Sequence, residues 1–208
     1  INCDHCLEVC PEDSNPRSHW MEVEDLIEEI KPAAPFLSGI TISGGEATQQ
    51  LDFVKEVFSR IKEDSQLNKL TTFIDSNGLL PIEKWKELLP VLDGAMIDLK
   101  ALDNDIHQEI TGQSNQLVLK TIPFLYQESK LYEIRLLIIP GFNNQPEQIE
   151  SVVSYLAEIG HDIRIRLIPF RTHGVREKYR HLDPLEDDDI LKIKKNFVQE
   201  GFKEVVVT

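Results

Sequence analysis

The chain has 208 residues, 41% hydrophobic and 28% charged, which is the composition of a globular protein rather than a disordered one. That length is enough for one well-buried domain and demands no second. A formal net charge of −14 argues against nucleic-acid binding through phosphate neutralisation, and no apolar run is long enough to span a bilayer.

The first residues, Ile1-Asn2-Cys3-Asp4-His5-Cys6, carry no secretory signal, so a cytoplasmic location is expected. All three cysteines, Cys3, Cys6 and Cys10, fall within ten residues, and Pro11 follows. An odd count at tight spacing is no disulfide framework. The spacing C-x2-C-x3-C-P reproduces the later part of the ferredoxin run C-x2-C-x2-C-x3-C-P, so the three cysteines read as ligands of an incomplete iron–sulfur cluster. The missing first cysteine would fall just before Ile1, so the chain reads as starting inside a motif. A zinc site using His5 or His19 is the alternative, and inert exposed cysteines are the plain reading. Residues 1–19 are therefore taken as the end of a ferredoxin-like cysteine segment and 20–208 as the body of the fold.

Along that body, Val23, Leu26, Ile27 and Ile30 recur at helical spacing, with Pro32 and Pro35 expected to end the helix. A strand Gly39–Ser43 leads into a helix carrying Leu51, Val54, Val57, Phe58 and Ile61. A strand Leu70–Ile74 closes at Asp75-Ser76-Asn77-Gly78, and Pro81 opens a short helix through Leu89. Next come a strand Gly94–Ile97 closing at Asp98-Leu99-Lys100, helices over Asp105–Ile110 and Leu117–Gln127, and a strand Glu133–Ile139. Pro146 begins a helix bearing Ile149, Val152, Val153, Leu156 and Ile159. A strand Ile163–Ile168, a helix Asp187–Glu200 and a strand Glu204–Val207 complete the pattern. Strands alternating with helices imply right-handed βαβ units and a parallel sheet, with apolar strands covered on both faces. The class is α/β, in a barrel-like arrangement.

Polar residues collect at the C-terminal ends of these strands. Gly44, Gly45 and Glu46 follow the first, Asp75, Ser76 and Asn77 the second, and Asp98 and Lys100 the third. Arg135 lies within the fourth, and Arg171 and His173 follow the fifth. In a barrel-like fold those ends share one mouth, where binding and catalytic residues gather. Two glycines let a ligand approach bare backbone, and carboxylates beside a lysine and an arginine suit a zwitterionic ligand. Singly, each is equally readable as a cap, a turn or a solvated charge; Asp75 suits an Asx turn.

In combination these segments resemble a known family. Gly39-Ile-Thr-Ile-Ser-Gly-Gly-Glu-Ala-Thr48, Asp75-Ser-Asn-Gly78 and Asp93-Gly-Ala-Met-Ile-Asp-Leu-Lys100 are similar to radical S-adenosylmethionine (radical SAM) enzymes that activate glycyl-radical enzymes. So are His107-Gln108, Thr111-Gly112, Arg135-Leu-Leu-Ile-Ile-Pro-Gly141 and His173-Gly174. The resemblance is to the YjjW-type activases, relatives of pyruvate formate-lyase activating enzyme. It implies a TIM-barrel-like partial (β/α) barrel that lacks its first strand and catalytic-cluster loop, because the family's C-x3-C-x2-C run occurs nowhere here. An open edge beside the first strand is then expected, favouring edge-mediated association.

The resemblance also implies roles. Gly44, Gly45 and Glu46 would receive the methionyl ammonium of S-adenosylmethionine. Asp75, Ser76, Asn77, Asp98, Lys100, Arg135 and His173 would line the cofactor site. Asp75, Ser76, Asp98 and the Met96 backbone carbonyl would hold a monovalent cation. Arg171 stands where the family has a histidine. The complete protein would use [4Fe-4S] clusters, take electrons from a flavodoxin- or ferredoxin-like donor, and abstract hydrogen from a glycine of a partner enzyme. This chain alone would be inactive. Rival readings are a non-catalytic S-adenosylmethionine- or metal-binding docking module and a radical SAM enzyme acting on a small molecule.

Overall fold

The computed structural model describes residues 20–172 and 177–208. Within them lie six strands: β1 (Gly39–Ile42), β2 (Thr71–Ser76), β3 (Gly94–Asp98), β4 (Leu131–Ile138), β5 (Arg164–Pro169) and β6 (Val205–Val207). The helices are α1 (Val23–Ala33), α2 (Leu51–Glu63), α3 (Ile82–Leu88), α4 (Asn104–Thr111), α5 (Val118–Gln127), α6 (Pro146–Ile159) and α7 (Asp187–Glu200). All neighbouring strands pair in parallel, in the order β1-β2-β3-β4-β5-β6. With right-handed crossovers and no reversal of strand order, every helix falls on one face of the sheet. The other face is the open interior of a partial (β/α) barrel.

The core lies between the sheet and that layer of helices. Ile74, Ala95, Ile97, Ile134, Leu136, Ile138, Ile165 and Leu167 supply the sheet's side. Val54, Val57, Phe58 and Ile61 of α2, Trp85 and Leu88 of α3, and Val118, Ile122 and Leu125 of α5 meet them. Helix ends follow local chemistry. Asp103 caps α4 by accepting from the backbone N–H groups of Asp105 and Ile106, and Gly112 ends it at φ 82°. Asp187, Asp188 and Asp189 fill the first turn of α7, where carboxylates suit the positive end of the helix dipole.

Two expectations are corrected. Pro32 does not end α1 but sits inside its last turn, and Pro35 falls in the 3-10 turn Ala34–Phe36 that follows. More consequential, β2 and β5 are not covered on both faces, although β3 is buried along most of its length. In β2 and β5 buried residues alternate with less buried ones, because the face turned from the helices is open. Asp75 and Asp98 lie inside strands on that open face, not after them, whereas Ser76, also inside β2, is buried on the helix-facing side in register with Ile97.

Trp85 is fully buried, yet its indole Nε1 has no hydrogen-bond partner among the described residues. Replacing it with Phe removes that orphaned donor while keeping most of the packing, so Trp85→Phe is expected to cost no more than about 1 kcal/mol. Trp85→Ala is expected to cost about 3–5 kcal/mol, and urea denaturation of both variants checks the contrast.

Candidate functional site

Strand register sorts the polar residues of the open face into two rows. A lower row runs Asp75, Met96, Glu133, Arg164 across β2 to β5, and an upper row runs Asp98, Arg135, Arg166 across β3 to β5. A β-bulge brings them into line. Ala95 pairs with Leu131 but Met96 with Glu133, leaving Tyr132 as an extra residue in β4. Without that residue's worth of slip Met96 would face Tyr132 and Asp98 would face Ile134, turning the charges of β4 into the helix layer. Tyr132 instead packs edge-on against Phe73, ring centroids 4.6 Å apart, below the lower row.

Glu133 sits at the centre with no solvent exposure. Its Oε1 accepts from Arg135 Nε at 3.0 Å and Arg166 Nε at 2.7 Å, and its Oε2 accepts from Arg164 Nε at 2.8 Å. Burial opposes ionisation, but the hydrogen bonds from Arg166, Arg135 and Arg164 outweigh it and hold the carboxyl below its ordinary value of 4.5. Arg135 goes on to donate from Nη1 to Asp75 at 2.6 Å and from Nη2 to the Met96 sulfur at 2.9 Å. Arg164 has Glu204 as a second carboxylate partner and lies over the Tyr132 ring, 5.6 Å from its centroid.

At the rim, Glu46 is a clip rather than a free carboxylate. Its Oε1 accepts from Thr48 N, Thr48 Oγ1 and Ser76 Oγ at 3.1, 2.7 and 2.8 Å, and its Oε2 accepts from Asn77 N at 2.8 Å. These bonds fasten the loop after β1 to the end of β2, and Ser43 adds a hydroxyl bond to Asp75 at 3.1 Å. Asn77 turns its own side chain to the Leu79 N–H at 2.9 Å, an Asx turn, and Gly78 follows at φ 73°. Gly44 adopts φ 148°, and a Cβ added at Gly44 or Gly45 would meet nothing within 4 Å, so open space borders that backbone. Lys100 pairs with Asp98 at 2.8 Å. The nearly buried Asn143 bonds the Lys100 carbonyl at 2.6 Å and the Leu137 carbonyl at 2.7 Å, tying the loop after β3 to the end of β4.

The structure thus gathers Asp75, Met96, Asp98, Lys100 and Arg135 on one face, with Glu46, Ser76 and Asn77 at its β1–β2 corner and Gly44 and Gly45 exposed above it. His173, Cys3, Cys6 and Cys10 lie outside the described residues. Arg171 is exposed beyond β5. Sequence reasoning missed Glu133, Arg164, Arg166 and Asn143. For the first three the available signal was charge at alternate positions, Glu133 with Arg135 and Arg164 with Arg166, in strands read as uniformly apolar.

The family model of the Radical SAM superfamily matches residues 1–156. The chain belongs to that superfamily. Among sequence relatives of this radical SAM chain, the pyruvate formate-lyase 1-activating enzyme of Escherichia coli (strain K12) is 28% identical over 197 residues, covering 87% of this chain and 78% of the relative. The (2S)-3-sulfopropanediol dehydratase activating enzyme of Klebsiella oxytoca is 32% identical over 168 residues, covering 78% of this chain and 51% of that one. The fold matches a crystallised domain of pyruvate-formate lyase-activating enzyme from Bacteroides vulgatus with TM-score 0.66 at 23% identity, over 82% of this chain and 99% of that one. A radical SAM methyltransferase from Sphaerobacter thermophilus matches with TM-score 0.71 at 14% identity, over 90% of this chain and 57% of that one.

The residues present fit the superfamily's cofactor. Two carboxylates, a lysine and an arginine on one face are complementary to a zwitterion, and the loop at Gly44 and Gly45 leaves space beside it.

The buried Glu133 carries a pH signature. Its lowered pKa means that its contribution to stability is fully present above the ordinary value of 4.5 and is lost as pH falls toward the folded value. Glu133→Gln is expected to cost about 3 kcal/mol at neutral pH by leaving three guanidiniums without their carboxylate. The gap to wild type should narrow below pH 4.5, as followed by denaturant melts across the acid range. A gap that stays constant there would contradict the assignment.

Proposed function

We propose that this chain is the cofactor- and substrate-facing part of a glycyl-radical-enzyme activating enzyme, in the line of the YjjW-type activases. The observation that carries this reading is the convergence of Asp75, Asp98, Lys100 and Arg135 on the open face, beside the clipped Gly44-Gly45-Glu46 loop. Lys100 and Arg135 would bind the carboxylate or ribose of S-adenosylmethionine. The backbone of Gly44 and Gly45, with the remaining accepting capacity of Glu46, would receive its ammonium. Asp75, Ser76, Asp98 and the Met96 carbonyl would hold a monovalent cation beside it, hard oxygen ligands for a hard ion.

When bound, S-adenosylmethionine and its [4Fe-4S] cluster supply the one-electron chemistry. The residues described here bind and orient: Asp98 holds Lys100, and Glu133 and Asp75 hold Arg135, so both cations are aimed before a ligand arrives. Cys3, Cys6 and Cys10 would serve an accessory cluster in a ferredoxin-like insert over residues 1–19, and His173 would meet the adenosyl end. The partner would be a glycyl-radical enzyme whose glycine enters the open face. A flavodoxin- or ferredoxin-like protein would deliver electrons. Having no C-x3-C-x2-C run, this chain would bind the cofactor without cleaving it. No helix among the described residues is long and apolar enough to cross a membrane.

Isothermal titration of S-adenosylmethionine tests the reading. Binding is expected, and Asp98→Ala, which frees Lys100 from its partner, should weaken it about tenfold, the value of one charge-assisted contact. Equal affinity in the variant would remove the rim from the site.

A further inference from the structure

Three arginines share Glu133, and they are not equivalent. Arg135 has Asp75 as a second carboxylate and Arg164 has Glu204. Arg166 has neither. Its Nε is spent on Glu133, and its two Nη groups have no acceptor among the described residues. A guanidinium left with two parallel donors is an incomplete pairing, because its fork matches a carboxylate oxygen for oxygen.

Its position makes that significant. Arg166 pairs in register with Arg135, so the two guanidiniums stand side by side in the upper row with one Glu133 oxygen bonded to both Nε atoms. Its side chain keeps 24% of its exposure, so the free fork is open to solvent and to ligand. One step further along the same two strands, Leu137 pairs with Ile168, and these residues with Pro169, Arg171 and Thr208 line an open cavity of about 350 Å³. A ligand on the open face therefore finds Leu137 and Ile168 beyond the fork, with Arg171 and Thr208 at the far side of the cavity, and a carboxylate fixing the fork from beneath.

We propose that Arg166 is a carboxylate-binding residue of the open face, held in readiness by Glu133 and distinct in role from Arg135. The inference rests on the reading that this face takes S-adenosylmethionine and a glycine-bearing peptide. Either can bring the carboxylate: the cofactor through its methionyl end, or the peptide through an acidic side chain near the glycine. Glu133 is here a positioning residue, acting through the guanidinium it orients.

The test compares wild type, Arg166→Gln and Arg166→Lys by titration with two matched pairs of probes. One pair is S-adenosylmethionine and its decarboxylated form. The other is a nonapeptide with a central glycine flanked by Asp, and its Asn counterpart. Arg166→Gln is expected to weaken one carboxylate-bearing probe about tenfold while its neutral partner changes less than twofold. Arg166→Lys should fall between, keeping the charge and losing the fork. The pair that responds identifies the source of the carboxylate. Thermal melts of the variants within a few degrees of wild type confirm that the fold is kept. If neither pair's ratio moves, or wild type binds neither carboxylate-bearing probe, Arg166 has no such role. Loss of discrimination in Arg166→Gln together with an unaffected Asp98→Ala would overturn the earlier reading of the rim and leave this one standing.

Discussion

A carboxylate with no access to water has to be neutralised where it stands, and Glu133 meets that demand with three guanidiniums. The arrangement of the open face follows from it. Three side chains that would otherwise reach toward solvent are held by their Nε atoms, so each has one remaining direction for its Nη groups. Arg135 turns toward Asp75 and Met96, and Arg164 toward Glu204 and Tyr132. The burial that makes Glu133 costly to ionise also makes these contacts strong, since field lines there run through protein rather than water. A barrel interior filled with aliphatic side chains would be more stable, and it would have nothing to offer a charged ligand.

Around that centre the loops are stitched to the sheet by side chains that close gaps between successive strand ends. Glu46 ties the loop after β1 to β2, and Asn143 ties the loop after β3 to the end of β4. Each replaces missing backbone pairing at a point where the chain leaves the sheet. Binding residues on loops are imprecise unless something rigid holds them. Here the rigid body is the parallel ladder, and the holding groups are one carboxylate and one amide.

Much of this was legible beforehand. The alternation of strands and helices, the parallel sheet and the barrel-like class follow from periodicity, because apolar runs and amphipathic stretches differ in length and spacing. Asp75, Asp98, Lys100 and Arg135 were legible as a group because a parallel barrel sends all strand ends the same way. The face of the sheet was harder. Reading β4 and β5 as apolar runs hid Glu133, Arg164 and Arg166, which sit every second residue among Ile and Leu. A covered strand and a strand open on one side differ only in those alternate positions. Asn143 was out of reach for another reason: its partners are backbone carbonyls of Lys100 and Leu137, and nothing in local sequence announces a contact between two loops. Pro32 misled because a proline in a last turn forfeits a bond that water readily supplies.

The bulge in β4 bears on how chains of this kind vary in length. Leu131 faces the helices opposite Ala95, and Glu133 faces the interior opposite Met96, with Tyr132 unmatched between them. Excising Tyr132 would join two residues that already point to opposite faces, as neighbours in a regular strand do. Excising Ile134 instead would bring Arg135 next to Glu133 and force one of the two through the sheet. Gaps in alignments of such strands should therefore gather at the position of Tyr132. A relative one residue shorter at that point keeps both charged rows intact and loses only the aromatic floor beneath them.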